Sequence, residues 1–147
     1  MTDIRMTIEG SRFDVRACGI LRKEGKVLVS FESDGVQTLT GGAVKMGETS
    51  EEAVIREFKE ETNLDVEVKE LSAIIENFFD YDDRPYQQLI FVYDLVLSQK
   101  NQELICREKV NVTWAEENQL TNLKPSALNE LISSKSQGIA HCINVGE

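Results

Sequence analysis

Residues 88–97, QLIFVYDLVL, form a nearly unbroken run of apolar and β-forming side chains. A strand with one wet face alternates apolar and polar residues, whereas a run like this needs cover on both faces. It reads as a central strand of a sheet that has helices at its sides. Two stretches can supply those helices. Thr49 to Thr62 begins with T-x-x-E, Thr49 and Glu52, the spacing of a capping box. PSALNELISS opens with Pro125, a residue suited to a first helical turn.

The other segments read as strands and turns. VRACGIL and KVLVSF flank Lys23-Glu24-Gly25-Lys26 and predict a hairpin within residues 12–31. Ser33-Asp34-Gly35 is a second turn, and VQTLTGGAV a short strand entering a glycine pair. Leu64 to Phe79 predicts one long strand, Asp80 to Pro85 a polar loop, and NVTWAEE a further short strand. The closing QGIAHCINV fits a last strand or an interface segment. Hairpins and long crossovers are mixed, so the sheet should be mixed and the class α/β. No repeat or linker interrupts residues 1–147, and a single domain is expected.

Composition narrows the function. The chain carries 26 acidic against 16 basic residues, a net charge of -10. Such a surface repels a nucleic-acid backbone, although metal ions can bridge an acidic protein to small phosphates. No segment approaches the roughly 20 apolar residues of a membrane span. The N-terminus lacks a signal peptide's apolar core, so a cytoplasmic location is expected. Cys18, Cys106 and Cys142 are odd in number and form no CxxC pair, which argues against disulfides and thiolate zinc. They read as packing residues rather than nucleophiles. His141 reads as a half-buried residue of a terminal strand rather than a catalytic base.

The chemistry concentrates in GGAVKMGETSEEAVIREFKEETNL, residues 41–64. At 100° per residue, Glu57, Glu60 and Glu61 share a helix face spanning roughly 100°. Small Ala53 lies among them. Val54, Ile55 and Phe58 form a second stripe suited to packing on a sheet, and Glu52 and Lys59 point to a third, solvated side. Three carboxylates on one face repel each other. A solvated acidic surface is the bland explanation. A hard divalent cation such as Mg²⁺, which takes oxygen ligands, is the chemical one.

The wider spacing decides between them. Gly42, five residues, Glu48, seven residues and then Arg56-Glu57-Phe58-Lys59-Glu60-Glu61-Thr62-Asn63-Leu64 resembles the Nudix box, G-x5-E-x7-R-E-U-x-E-E-x-G-U, where U is a bulky apolar residue. Eight of the nine specified positions match, a coincidence expected on the order of once in 10⁸ starts. Asn63 replaces the usual glycine; asparagine is the next-best residue for the left-handed backbone that ends a helix.

The resemblance implies a Nudix-like α/β/α sandwich and Mg²⁺-dependent (or Mn²⁺-dependent) hydrolysis of a phosphoanhydride bond in a nucleoside diphosphate derivative. It implies Glu57, Glu60 and Glu61 as metal ligands with the carbonyl of Gly41. Glu48 and Arg56 become an ion pair that orients the glutamates. Metal would neutralise phosphate charge and acidify the attacking water. The base can be Glu57 or a later glutamate such as Glu103 or Glu108; the sequence leaves these open. Phe31, Phe78, Phe79, Tyr81 and Tyr86 could stack on a base, but most such rings belong to cores. A homodimer follows from family habit. Two rivals differ in kind: a Nudix-like domain that senses a nucleotide without cutting it, and an acidic scaffold whose glutamates bind nothing.

Overall fold

The computed structural model describes residues 2–31, 35–106, 111–134 and 138–146. The hairpin expected near the N-terminus is present. Strand β2 (Ser11–Lys23) turns at Glu24-Gly25 into β3 (Lys26–Phe31). A strand not anticipated from the sequence, β1 (Arg5–Ile8), precedes it and folds onto β2 through Glu9-Gly10. The glycine-pair region gives two short strands, β4 (Gln37–Leu39) and β5 (Gly41–Ala43).

Helix α1 (Ser50–Thr62) follows. Its capping box is complete: Thr49 Oγ1 accepts from the Glu52 amide at 3.0 Å, and Glu52 Oε1 accepts from the Thr49 amide at 2.9 Å. Asn63 ends the helix at φ 67°, and its N–H returns to the Lys59 carbonyl. Thr49→Ala is therefore expected to cost about 1 kcal/mol. Urea denaturation measures it, and an unchanged midpoint would show that the cap is idle.

Strands β6 (Val66–Tyr81) and β7 (Arg84–Leu97) form a long antiparallel hairpin. Here the expected loop at Asp80–Pro85 is corrected. Only Asp82 and Asp83 lie outside the strands, both left-handed at φ 54° and 58°. Two consecutive positive φ values make a type I′ turn, whose twist matches the flanking strands. Aspartate tolerates that backbone. Pro85 is then a strand residue opposite Asp80, and it sits just beyond Tyr86, where the pairing of β7 with β2 begins. No ladder bond to β2 is lost there.

Strand β8 (Asn111–Glu116) pairs with β3, and a short 3-10 turn leads to α2 (Ala127–Ser134). The last strand, β9 (Ala140–Val145), lies parallel to β6. The sheet has nine strands in the order β4-β3-β2-β7-β6-β9, with β1 and β5 on β2 and β8 on β3. Its β2–β7 and β6–β9 pairs are parallel and the other strand pairs antiparallel, so it is mixed as expected.

Strand β7 is central, and its alternate residues feed two cores. Tyr93 and Leu95 join Ala17, Leu21, Val54 and Phe58 beneath α1. Ile90 and Val92 join Cys18, Ile20, Leu128 and Ile132 beneath α2. One helix thus covers each face, and the sandwich is α/β/α. Among the described residues no helix is long and apolar enough to cross a membrane.

Candidate functional site

The box residues meet where α1 crosses β5. Arg56 is the hub. A guanidinium has five N–H donors, and here all five are engaged. Nε and Nη2 hold both oxygens of Glu48, at 2.8 and 2.9 Å. Nη2 also donates to the Ala43 carbonyl at 3.0 Å. Nη1 donates to Glu57 Oε1 at 2.9 Å and Glu60 Oε2 at 3.2 Å. The Glu48–Arg56 pair expected from the box is therefore a bidentate fork, the stronger geometry for this pair. The Ala43 carbonyl and the two added glutamate contacts were not foreseen.

Glu48 is pinned from a second side, accepting from the Lys45 amide at 2.9 Å. Its side chain is only 7% exposed. The hydrogen bond from Arg56, helped by that amide, holds its carboxyl below the usual glutamate range against the opposing effect of burial. Arg56 is shifted the other way, upward, chiefly by its bond to Glu48. The signs fix a pH dependence. A depressed carboxylate stabilises the fold above its unfolded pKa, about 4.3, and the effect is lost as pH falls through the folded value. A raised arginine contributes at every pH below its unfolded pKa. The urea midpoints of the native protein and Glu48→Gln should therefore differ at neutral pH and converge towards about pH 3. A constant gap across that range would refute the linkage.

Glu57 is placed by what Gly42 lacks. A Cβ built on Gly42 would lie 2.6 Å from Glu57 Oε1 and 2.5 Å from Cδ, so the carboxylate fills the space a side chain would need. Gly42 is not among the glycines with positive φ, so volume is its constraint and not backbone freedom. Its neighbour Gly41 answers to the sheet. It pairs with Cys18, and a Cβ there would collide with the Ala17 carbonyl oxygen and lie 2.6 Å from Cys18 Cα.

The second helical stripe needs correction. Val54 and Phe58 are fully buried, but Ile55 is 37% exposed. Its expected place is taken by Glu61, only 6% exposed. Seven residues separate Val54 from Glu61, within about 20° of two full turns, so both face the sheet. Glu57 is also largely covered, and Glu60 is the most open of the three glutamates. Ser50 Oγ meets Tyr93 Oη at 2.6 Å and ties the helix start to β7.

Among the described residues, no three acidic side chains converge as a ready-made metal cage. Arg56 sits between Glu48, Glu57 and Glu60 and supplies the positive charge. The donor set is nonetheless all oxygen. Glu57 lies in a hollow only a glycine leaves open, and Glu61 is a carboxyl group buried on the sheet side of the helix. This chemistry fits a hard divalent ion.

The later candidates divide. Glu103 is exposed on a segment held to the end of α1 by the Ile105 amide, which donates to the Thr62 carbonyl at 3.0 Å. Glu108 and the turn residues Ser33 and Asp34 lie outside the described residues. Four of the five aromatic candidates gather near the β6–β7 turn. Phe79 stacks on Tyr86 at 5.0 Å, Tyr81 meets Tyr86 edge-on at 5.9 Å, and Phe78 helps line an adjacent cavity of about 690 Å³. Phe31 packs at the α2-side core. Tyr81 is 65% exposed at the hairpin tip.

His141 is exposed rather than half-buried, because it lies on edge strand β9 beyond the cover of α1. It pairs with Glu76 at 2.7 Å, three strand positions from β2 and away from the box. Burial pushes the Cys18 thiol up to about 12, which keeps it protonated. Burial, with Glu130 nearby, also raises Cys142.

Known proteins share the family signature and the fold. The NUDIX domain signature matches residues 10–133. A stretch of 83 residues is 39% identical to the ADP-ribose pyrophosphatase of Methanocaldococcus jannaschii, covering 53% of this chain and 48% of that protein. A MutT-like protein of Streptomyces ambofaciens is 39% identical over 59 residues, 40% of this chain and 38% of that protein. The chain thus spans about half or less of the length of these curated relatives. Among solved structures, a NUDIX hydrolase from Nitrosomonas europaea superposes with a TM-score of 0.72 at 18% identity, over 99% of this chain and 94% of that one. The MutT protein of Methanosarcina mazei superposes at 0.67 with 18% identity, over 87% and 95%. The signature runs from Gly10, just before β2, into α2 and takes in every residue of the box, and the chain belongs to the Nudix family.

Proposed function

We propose that this protein hydrolyses a phosphoanhydride bond in a nucleoside diphosphate derivative, using Mg²⁺ or, in its place, Mn²⁺. The observation that carries this reading is the saturated Arg56 hub, which gathers Glu48, Glu57 and Glu60 beside the Gly41-Gly42 pair. Glu57, Glu60, Glu61 and the Gly41 carbonyl would hold the metal. When bound, it supplies charge neutralisation and a more acidic water.

The chain's own groups do the rest. Glu48 and the Ala43 carbonyl fix Arg56, and Arg56 fixes the rotamers of Glu57 and Glu60. Gly42 leaves Glu57 its position. Glu57 takes the proton of the attacking water, with Glu103 the described alternative. The substrate is a small molecule and not a nucleic-acid polymer, in keeping with the net charge of -10. Residues 1–147 act as one domain, in the cytoplasm, and as a homodimer.

The test is a screen of nucleoside triphosphates, dinucleoside polyphosphates, nucleotide sugars and ADP-ribose, with Mg²⁺ and Mn²⁺, reading phosphate through a coupled phosphatase. Turnover should fall by roughly 100-fold or more in Glu61→Gln. No turnover with retained nucleotide binding would instead assign a sensing domain. Full turnover by Glu61→Gln would remove Glu61 from the ligand set.

A further inference from the structure

Strand β2 alternates Arg12, Asp14 and Arg16 with Phe13, Val15 and Ala17. Ala17 lies in the core under α1 and Cys18 in the core under α2, so Arg12, Asp14 and Arg16 stand on the α2 side. Arg16 acts on Cys18 through its charge, which agrees with that placement. Arg5 on β1 is the register partner of Asp14 and joins them.

Three arginines therefore share one strip with a single carboxylate, in a chain whose net charge is -10. Neutralising Asp14 does not account for them. Among the described residues its one ion pair is with Arg5 Nε at 3.7 Å, too long for a hydrogen bond, and Asp14 Oδ1 is buried with no hydrogen-bond partner. Arg12 Nε is also buried without an acceptor, and the group lies over the Tyr86 ring at 5.9 Å. Among the described residues, the side chains of Arg5, Arg12 and Arg16 make no hydrogen bond and no ion pair beyond that one. Arg56, with five donors engaged, shows what a structural arginine looks like in this fold. The matching positions on the flanking strands bring no acid: Tyr86, Gln88 and Ile90 on β7, and Ala43 on β5.

The cluster keeps to one face of the sheet. Arg16 is the register partner of Ala43, next to the glycine against which Glu57 lies. Arg12 lies about 13 Å further along β2, four residues away. The strip thus runs outward along one strand on the α2 face of the sheet, the face opposite Glu57. We infer that Arg5, Arg12 and Arg16 form an anion-binding strip on the α2 face of the sheet that takes a phosphate group. Planar guanidinium forks suit phosphate oxygens, and an approaching phosphate would also satisfy the buried Arg12 Nε.

Inorganic phosphate is the probe, titrated into the whole protein in EDTA so that no metal contributes. Calorimetry should show saturable binding that weakens about tenfold in Arg12→Gln/Arg16→Gln, weakens with added salt, and persists in Glu57→Gln. Amide NMR shifts in the unmodified protein need no variant; they should centre on residues 5–7 and 12–17. Absence of saturable binding, equal binding by the double variant, or shifts centred elsewhere would overturn the inference. Phosphate bound at the strip by a protein that turns over no substrate would defeat the proposed function and leave the strip standing.

Discussion

Arg56→Ala is expected to cost about 2–4 kcal/mol of stability and to abolish turnover. The lower end reflects partial exposure, since the Arg56 side chain is 21% exposed and Glu48 only 7%. Removing one member of a buried pair strands the other. Here the loss leaves Glu48 without its fork and Glu57 and Glu60 without the charge between them. Arg56→Lys separates charge from geometry. Lysine has three donors on a single atom and cannot reproduce the fork. It should recover part of the stability and little of the activity. Urea denaturation and the phosphate-release assay read the two effects. An Arg56→Ala protein with native midpoint and native turnover would show that the hub holds nothing in place.

Gly42→Ala should give the opposite profile, with turnover down roughly 10–100-fold and stability nearly unchanged. The added methyl would occupy the position of the Glu57 carboxylate, the far end of a flexible side chain that can swing aside. The backbone at Gly42 is open to alanine, and alanine even lowers the entropy of the unfolded chain. Gly41→Ala, one residue away, meets backbone atoms of Ala17 and Cys18 that cannot swing. It should lose about 1–3 kcal/mol through overpacking and strain in the β5–β2 pairing. Equal stabilities for the two variants, or full activity in Gly42→Ala, would contradict this division.

Local chemistry made much of this legible before any coordinates. Thr49 and Glu52 cap α1 through atoms three residues apart, and Asn63 ends it by a preference of its own backbone. The apolar run 88–97 could only be covered on both faces. What stayed hidden depends on long-range placement or on two signals in conflict. Helical periodicity puts Glu61 in line with Val54, but its charge argued for water, and Ile55 looked the better core residue. DYDDRP is polar and contains proline, so it resembles a loop; the tight turn depends on two aspartates accepting left-handed backbone. The register of β9 beside β6 is set some 65 residues away, as the His141–Glu76 pair illustrates. The box spacing identified Arg56 and Glu48 as partners, whereas the Ala43 carbonyl is backbone and leaves no mark in residue type. The alternation of Arg12, Asp14 and Arg16 was present in the sequence and becomes informative only once Ala17 and Cys18 fix which face is which.

The five bonds of Arg56 are not equivalent. Three of them, two to Glu48 and one to the Ala43 carbonyl, tie the loop before α1 and the end of β5 to the helix. The other two run from Nη1 to glutamates on the helix itself. Any cation that draws Glu57 and Glu60 away would take only the second set, and the loop would stay anchored. The scaffold and its exchangeable contacts are thus split between the two ends of one planar group. Loading and unloading should proceed by side-chain rotation over a stationary backbone.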